Sequence, residues 1–249
     1  MEIKTPQEIE LMRVASRVVA ETLQLLREEA RAGVTTGELD RAAERYIRKA
    51  GCLPAFKGYQ GFPSTLCTSV NDQVVHGIPS DYALRDGDIL SVDVGSIYQG
   101  YYGDGAVTIL IGAVSERHRR LAEVTEQALY KGIAQARTGN RIGDISHAVQ
   151  VFVEQAGFAV VRDFVGHSIG SRMHEELQIP NYGPPNQGAV LKRGMVLAIE
   201  PMVNEFTPHV RILPDRWTAV TVDGGYSAHF EHTVAVTTDG PDILTRLSE

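Results

Sequence analysis

Four acidic side chains and one imidazole sit where an isolated charge would be costly. Asp93 closes the stretch Ile-Leu-Ser-Val-Asp and Glu200 closes Val-Leu-Ala-Ile-Glu, while Asp104 lies in Tyr-Tyr-Gly-Asp-Gly and Glu231 in His-Phe-Glu-His. A carboxylate at the end of an apolar strand faces desolvation unless it is paired or bound to metal. Asp93 and Asp104 are eleven positions apart around a turn predicted at Tyr98-Gln99-Gly100. A hairpin with that turn sets them nearly opposite each other, with β-carbons ~5 Å apart. Converging carboxylates repel one another and lose charge. Divalent cations remove the conflict: two ions roughly 3.5–4 Å apart, bridged by carboxylates, form a clamp that generates hydroxide at neutral pH. His167 supplies the one nitrogen ligand. An oxygen-rich site with one imidazole suits Mn, Fe or Co, with Zn also compatible.

Taken singly, any of these acids reads as a solvated turn or strand-end charge; the set, related by a repeat, does not. His76, in Val-Val-His-Gly-Ile-Pro, echoes His167-Ser-Ile-Gly, which points to a site role. His174 carries less alone, because His-Glu-Glu is common at exposed helix starts. A competing motif is Gly166-His167-Ser168-Ile169-Gly170, which satisfies the G-x-S-x-G pattern of a serine-hydrolase elbow, with Asp223 and His232 following in the required order. That elbow needs a helix directly after Ser168. The chain instead runs through Ser171-Arg-Met-His-Glu-Glu-Leu to Pro180, which leaves no room for one.

An internal repeat positions the acids. Gly33, Gly37, Tyr46 and Gly51 match Gly139, Gly143, Phe152 and Gly157 at an offset of 106, and Leu84–Asp93 matches Leu191–Glu200 at an offset of 107. The halves divide roughly into 1–111 and 112–249 of a single catalytic domain, each read as helix, helix, then strands. Thr5-Pro6-Gln7-Glu8 is a capping box with proline at the first helical position, opening a helix with the stripe Ile9, Met12, Val19, Leu23 and Leu26 that ends near Gly33. A second helix carries Leu39, Ala42, Tyr46 and Ile47 and stops at Gly51. Ser115 starts a third, and Ile145, Val149, Phe152 and Val153 mark a fourth. Strands are predicted at Ile89–Ile97, Tyr101–Ile111, Val196–Val203 and Glu231–Thr237. The plan is α+β: two related halves join their sheets, and helices cover one face. No G-x-G-x-x-G is present, which argues against a dinucleotide-binding fold.

Bulk properties exclude several classes. The 249 residues are 43% hydrophobic and 22% charged, as in an ordinary globular chain. A net charge of -7 gives no electrostatic reason to expect nucleic-acid binding. The start Met1-Glu-Ile-Lys has no signal-peptide pattern, and no apolar run approaches the ~18 residues of a membrane span. Two cysteines, Cys52 and Cys67, fit a reducing compartment. The expectation is a cytoplasmic protein, and a monomer because no interface pattern stands out.

The motifs together are specific. They are Gly58-Tyr-Gln-Gly-Phe-Pro, Cys67-Thr-Ser-Val-Asn, Val74-Val-His-Gly-Ile-Pro, Asp88-Ile-Leu-Ser-Val-Asp, Gly103-Asp-Gly, Gly166-His-Ser-Ile-Gly, His174-Glu-Glu, Gly194-Met-Val-Leu-Ala-Ile-Glu-Pro-Met-Val and Ser227-Ala-His-Phe-Glu-His-Thr. In this order they resemble the type I, bacterial-form methionine aminopeptidases, over essentially the whole chain. The resemblance implies the pita-bread (creatinase/aminopeptidase-like) fold and two divalent ions (Co, Mn, Fe or Zn). Asp93 and Asp104 would bind one ion, His167, Glu200 and again Asp104 the other, and Glu231 would bridge them. Water held between the ions would attack the first peptide bond, Glu200 would shuttle its proton, and His174 would hydrogen-bond the oxyanion or the scissile amide. His76 would contact the substrate near the leaving amine. The methionine pocket would be Tyr59, Phe62, Cys67, His76 and Trp217, with Phe56 and Met173 nearby, surroundings that suit a flexible thioether. A monovalent cation would lie near Asn71 and Ser227. The implied substrates are nascent polypeptide N-termini, met at the ribosome.

Some positions depart from the family pattern. Phe62 stands where a tyrosine is usual, Met173 where an aromatic is usual, Ser168 for a glycine and Leu177 for a proline. They touch pocket shape, not ligation. No zinc-finger or proline-rich extension is expected before the helices, and Glu231 follows Glu200 by only 31 positions, which leaves no space for the type II insertion. The rival readings are a prolidase-like peptidase, a serine hydrolase using Ser168, and a non-catalytic binding module of the same fold.

Overall fold

The structure, a computed structural model, describes residues 2–247; Met1 and residues 248–249, the outermost ends of the expected domain, lie outside them. Helices α1 (Pro6–Glu29) and α2 (Thr36–Lys49) precede strands β1 (Leu53–Pro54), β2 (Leu66–Val70), β3 (Gln73–Val75), β4 (Ile89–Tyr98) and β5 (Tyr101–Leu110). Helices α3 (Glu116–Ile133) and α4 (Ile142–Gln155) then precede β6 (Ala159–Val160), β7 (Gly166–Ser168), β8 (Gln178–Ile179), β9 (Val196–Ile199) and β10 (Met202–Asn204). The chain finishes with β11 (Val210–Ile212), β12 (Ala219–Thr221), β13 (Ser227–His229), β14 (Glu231–Val236) and β15 (Pro241–Ile243). No helix among the described residues is long and apolar enough to cross a membrane.

Local signals start the helices, at Thr5 and Ser115 as expected and also at Thr35. Thr5 and Thr35 each accept from the backbone three residues on, while Glu8 and Glu38 reach back, so both capping boxes form. Ser115 caps α3 through His118 N–H. Helix α1 ends at Glu29, short of Gly33. Gly33 instead donates to Leu84 O at 2.8 Å, and Gly139 donates to Leu191 O at 3.0 Å. The repeated glycine block thus ties each helix–helix loop to the turn before an acid-bearing strand.

The main sheet runs β1-β4-β5-β14-β9-β7-β8, with β2 also on β4 and β15 also on β14. Its strands are antiparallel, and the two halves meet where β5 pairs with β14. Helix α1 packs on one face of the β4–β5 hairpin. A Cβ on Gly103 would lie 2.6 Å from Ser16 N, and one on Gly105 would lie 3.1 Å from Val19 Cγ1. Because side chains alternate across a strand, Asp104 between them points to the opposite face. Apolar residues of the helices and sheet, among them Leu23, Leu26, Leu90, Val92, Ile145 and Leu197, form the largest core cluster.

Two expectations are corrected. The β4–β5 turn contains only Gln99 and Gly100, both with positive φ, and Tyr98 pairs with Tyr101. Asp93 therefore faces Ala106 and Asp104 faces Gly95: the acids are diagonal neighbours on one face, not opposite each other. Val196–Val203 is not one strand. It breaks into β9 and β10, in different sheets, at Glu200-Pro201, because proline has no N–H to continue a ladder.

Replacing Gly103 with alanine forces α1 off the sheet. The expected loss is about 1–3 kcal/mol, read from urea unfolding; an unchanged midpoint would mean that the close approach is not required.

Candidate active site

Strand register assembles the acids in two transverse rows. One row runs Cys67–Asp93–Ala106–Glu231 across β2, β4, β5 and β14. The second holds Gly95 and Asp104, then Thr233, Ala198 and His167 across β14, β9 and β7. Thr233 locks the central pair of strands: its hydroxyl accepts from Asp104 N at 3.0 Å and donates to Asp104 O at 2.8 Å. Glu200 follows directly on β9, and its carbonyl accepts from the Asn181 side chain at 3.0 Å. Residues two apart on a strand share a face, so both rows look into the same cavity.

That cavity, of about 150 Å³, is lined by every residue named above as ligand, catalytic group or pocket wall, with Gln60 in addition. Its polar end holds Asp93, Asp104, His167, Glu200 and Glu231. His167 Nε2 lies 3.8 Å from Asp104 Oδ2 and 3.6 Å from Glu200 Oε1. These separations are too long for hydrogen bonds. Asp104, His167 and Glu231 offer donor atoms within 4.8 Å of one another, and so do Glu200, His229 and Glu231. Asp93 Oδ1 and Glu231 Oε1 are buried with no hydrogen-bond partner among the described residues.

Burial, and after it mutual repulsion, pushes the Asp93, Glu200 and Glu231 carboxyls well above the usual carboxylate range. Burial lifts Asp104 to about 7. The histidines go the other way. Burial lowers His167 to about 3 and His76 to about 4, and holds His174 below its usual value, so all three are neutral near pH 7. Neutral imidazoles beside unpartnered buried oxygens make a donor set suited to divalent cations.

The other end of the cavity is apolar. Phe62 meets Trp217 edge to face at 5.1 Å between ring centroids, beside Phe56, Cys67 and Met173. Trp217 is presented by a turn that Asp215 caps, accepting from Trp217 N and Thr218 N. His76 adopts φ 60°, a sparsely populated conformation for a residue other than glycine, and packs edge-on against Phe164. Gly77 beside it passes so close to β2 that a Cβ would lie 2.1 Å from Thr68 O. Tyr59 OH is 2.8 Å from His174 Nδ1, which fixes that ring between Tyr59 and His167.

Three contributors escaped sequence reasoning. Lys4 Nζ contacts both Glu175 oxygens, at 2.7 and 2.8 Å, in a buried pair that anchors the loop carrying His174. Nothing local links residues so far apart in the chain. Gln60, at φ 49°, lies in the pocket wall. His229 is buried behind Glu200, at the end of β13, and Phe230 separates it from Glu231 at the start of β14 in the main sheet.

The nucleophile elbow does not form. Ser168 lies within β7, no helix follows it, and its hydroxyl accepts from Leu177 N at 3.1 Å. His232 is engaged by Thr245 and Tyr130, and Asp223 by Thr207 and Gly225. Asn71 and Ser227 are adjacent, Ser227 N donating to Asn71 O at 2.8 Å.

A mixed α+β architecture with a buried acid–imidazole cage on the sheet where its two halves join defines a metal-dependent hydrolase of the pita-bread class. The family model for metallopeptidase family M24 matches residues 10–238, and the chain belongs to that family. It is 53% identical to methionine aminopeptidase 1 of Bacillus subtilis, over 98% of each chain. The crystal structure of a methionine aminopeptidase from Thermotoga maritima superposes with a TM-score of 0.98 at 48% identity, covering 99% of this chain and 100% of that one. A prolidase from Pyrococcus horikoshii shares the fold at TM-score 0.79 and 22% identity, and only 64% of that longer chain is covered.

The raised acids set the sign of a pH test. A group whose folded-state pKa is raised contributes stability that is lost as pH rises through that value. Chelator-treated protein is therefore expected to lose stability from pH 7 to 9, by about 1.4 kcal/mol per pH unit for each acid still protonated in the folded state. Urea unfolding at the two pH values checks this; equal stability, or a gain at pH 9, would contradict it.

Proposed function

We propose that the chain is a methionyl aminopeptidase, removing the N-terminal methionine from nascent proteins and peptides whose second residue is small. The observation that carries this reading is a single cavity with a divalent-metal donor set at one end and an apolar thioether pocket at the other. Its volume of about 150 Å³ suits one long side chain, well below the roughly 300–1,000 Å³ of pockets for drug-sized ligands. The close and nearly full-length similarity to methionine aminopeptidases supports the same activity.

Asp93, Asp104, His167, Glu200 and Glu231 would hold two divalent ions. Co, Mn, Fe and Zn all fit a set of four carboxylates and an imidazole. When bound, such ions supply an activated water and a Lewis acid at the scissile carbonyl. Glu200, its carboxyl raised by burial and then by Asp104, takes the proton of the attacking water and returns it to the leaving amine. In the tautomer that accepts the Tyr59 OH hydrogen at Nδ1, His174 presents Nε2–H to the developing oxyanion or the scissile amide. Neutral His76 orients the substrate near the leaving amine. Tyr59, Phe62, Cys67, Trp217, Phe56 and Met173 enclose the methionine side chain. A monovalent ion beside Asn71 and Ser227 would rest on main-chain carbonyls, since Asn71's amide serves Asp88 and Ile89 and Ser227's hydroxyl serves Val203.

The catalytic unit is one domain, its cage drawn from both repeats, and one chain lines the whole cavity, consistent with a monomer. Nascent N-termini as substrate place its work in the cytoplasm, beside the ribosome.

The purified protein is expected to release methionine from Met-Ala-Ser but not from Met-Lys-Ser, with activity lost to a chelator and restored by divalent metal. Cleavage of X-Pro but not Met-Ala peptides would move the chain to the prolidase branch. Activity that survives chelation but is lost to a serine-directed phosphonate would overturn the metal reading. Glu200→Ala, still folded by circular dichroism, is expected to lose turnover by at least about a hundredfold; near-normal turnover would remove Glu200 from the proton path.

A further inference from the structure

His174 is carried by the loop between β7 and β8. That loop folds back on itself, Ser168 N donating to Leu177 O at 2.8 Å and Glu175 N to Ser168 O at 2.9 Å. It is also gripped from outside, on both sides of His174. After the ring, Lys4 Nζ contacts both Glu175 carboxylate oxygens, at 2.7 and 2.8 Å. Before it, Arg172 Nη2 contacts Glu2 Oε1 at 3.1 Å, and Glu2 Oε2 lies 3.0 Å from the same Lys4 Nζ. One ammonium thus joins both contacts. The Arg172–Glu2 pair is exposed and contributes little, whereas Lys4 and Glu175 are buried.

Lys4 is itself fixed by regular structure. Its N–H donates to Gly194 O at 2.7 Å, and Gly194 N donates to Val236 O at 2.9 Å, at the end of β14. Thr5, the next residue, caps α1. Two glycines make room for the lysine. A Cβ on Gly194 would lie 2.8 Å from Lys4 O, and one on Gly170 would overlap Lys4 Cε and Glu175 Oε1. The ammonium therefore reaches Glu175 through a notch in the His174 loop, from an anchor on α1 and β14. Lys4 does not line the active-site cavity, so its route to the reaction runs through that loop.

We infer that Lys4 is a positioning residue for the reaction: by holding Glu175 it sets the reach of the His174 ring to the scissile group. The inference rests on the reading of the chain as a methionyl aminopeptidase with His174 at the reacting carbonyl. A donor to a developing oxyanion must stand about 2.7–3.1 Å from it. A misplacement of ~1 Å costs on the order of a hundredfold in rate. Lys4 therefore acts on turnover, not on substrate affinity.

The test removes both charges together, since a lone buried charge is strongly destabilising. In Lys4→Met/Glu175→Gln, kcat on Met-Ala-Ser is expected to fall at least about tenfold. KM and Co(II) affinity are expected to stay within about twofold. On a His174→Ala background the same two substitutions are expected to cost less than about twofold further, because the group they act through is gone. Gly170→Ala keeps both charges but displaces them; it is expected to show the same pattern, and it decides the matter if the double variant does not fold. A kcat within about twofold of native, a loss expressed in KM alone, or an equal loss with and without His174 would overturn the inference. Failure of the native protein to release methionine would instead overturn the underlying reading of its function.

Discussion

Four carboxylates buried on one face of one sheet are the constraint around which the molecule is arranged. Desolvation alone disfavours their charge, and their proximity adds repulsion, so without cations the face is held together only by keeping protons on its acids. Geometry makes the crowding unavoidable. The acids come from the β4–β5 hairpin, from β14 and from the residue after β9, and the β5–β14 pairing brings those elements side by side. The opposite face of β5 accommodates this with glycines at 103 and 105, so that α1 can lie against the strand and Asp104 turn inward. The cage therefore exists only when both halves are folded and joined.

The second layer of the site controls orientation. His76 is held at φ 60° beside a glycine pressed on β2, and His174 is clasped by Tyr59. The loop carrying His174 is pinned through Glu175 to Lys4, near the start of the chain. Side chains at Glu175 and Lys4 are 3% and 4% exposed, so the pair works in a low-dielectric setting where losing one partner is far costlier than the pair's net worth. Lys4 is thereby part of what holds the His174 ring in place. The apolar wall has its own support in the Asp215-capped turn that presents Trp217.

Much of this was legible in the residues. The capping box at Thr5 announced the first helix, and acids ending apolar strands announced a cation site. The matched Leu84–Asp93 and Leu191–Glu200 blocks said that Asp93 and Glu200 are counterparts. What escaped depends on single-residue details of chain direction. A two-residue turn in place of a three-residue one slid the Asp93–Asp104 relation from opposite to diagonal. Pro201 cut a predicted strand in two and sent its pieces to different sheets. Neither Lys4–Glu175 nor the adjacency of β5 and β14 has a local signature, since each joins segments more than a hundred residues apart. His229 had no counterpart in the other half to draw attention to it, and the break between β13 and β14 that separates it from Glu231 left no strand pattern to read.

The central claim is that the buried acids are a divalent-cation cage. Its most direct measurement is calorimetric titration of the metal-free protein with Mn(II) in two buffers of different ionisation enthalpy. The account predicts two ions bound per chain with release of protons, because acids that hold protons in the empty cage must give them up to ligate. Saturable binding without proton release, or binding unaffected by Asp93→Asn and Glu231→Gln, would contradict it.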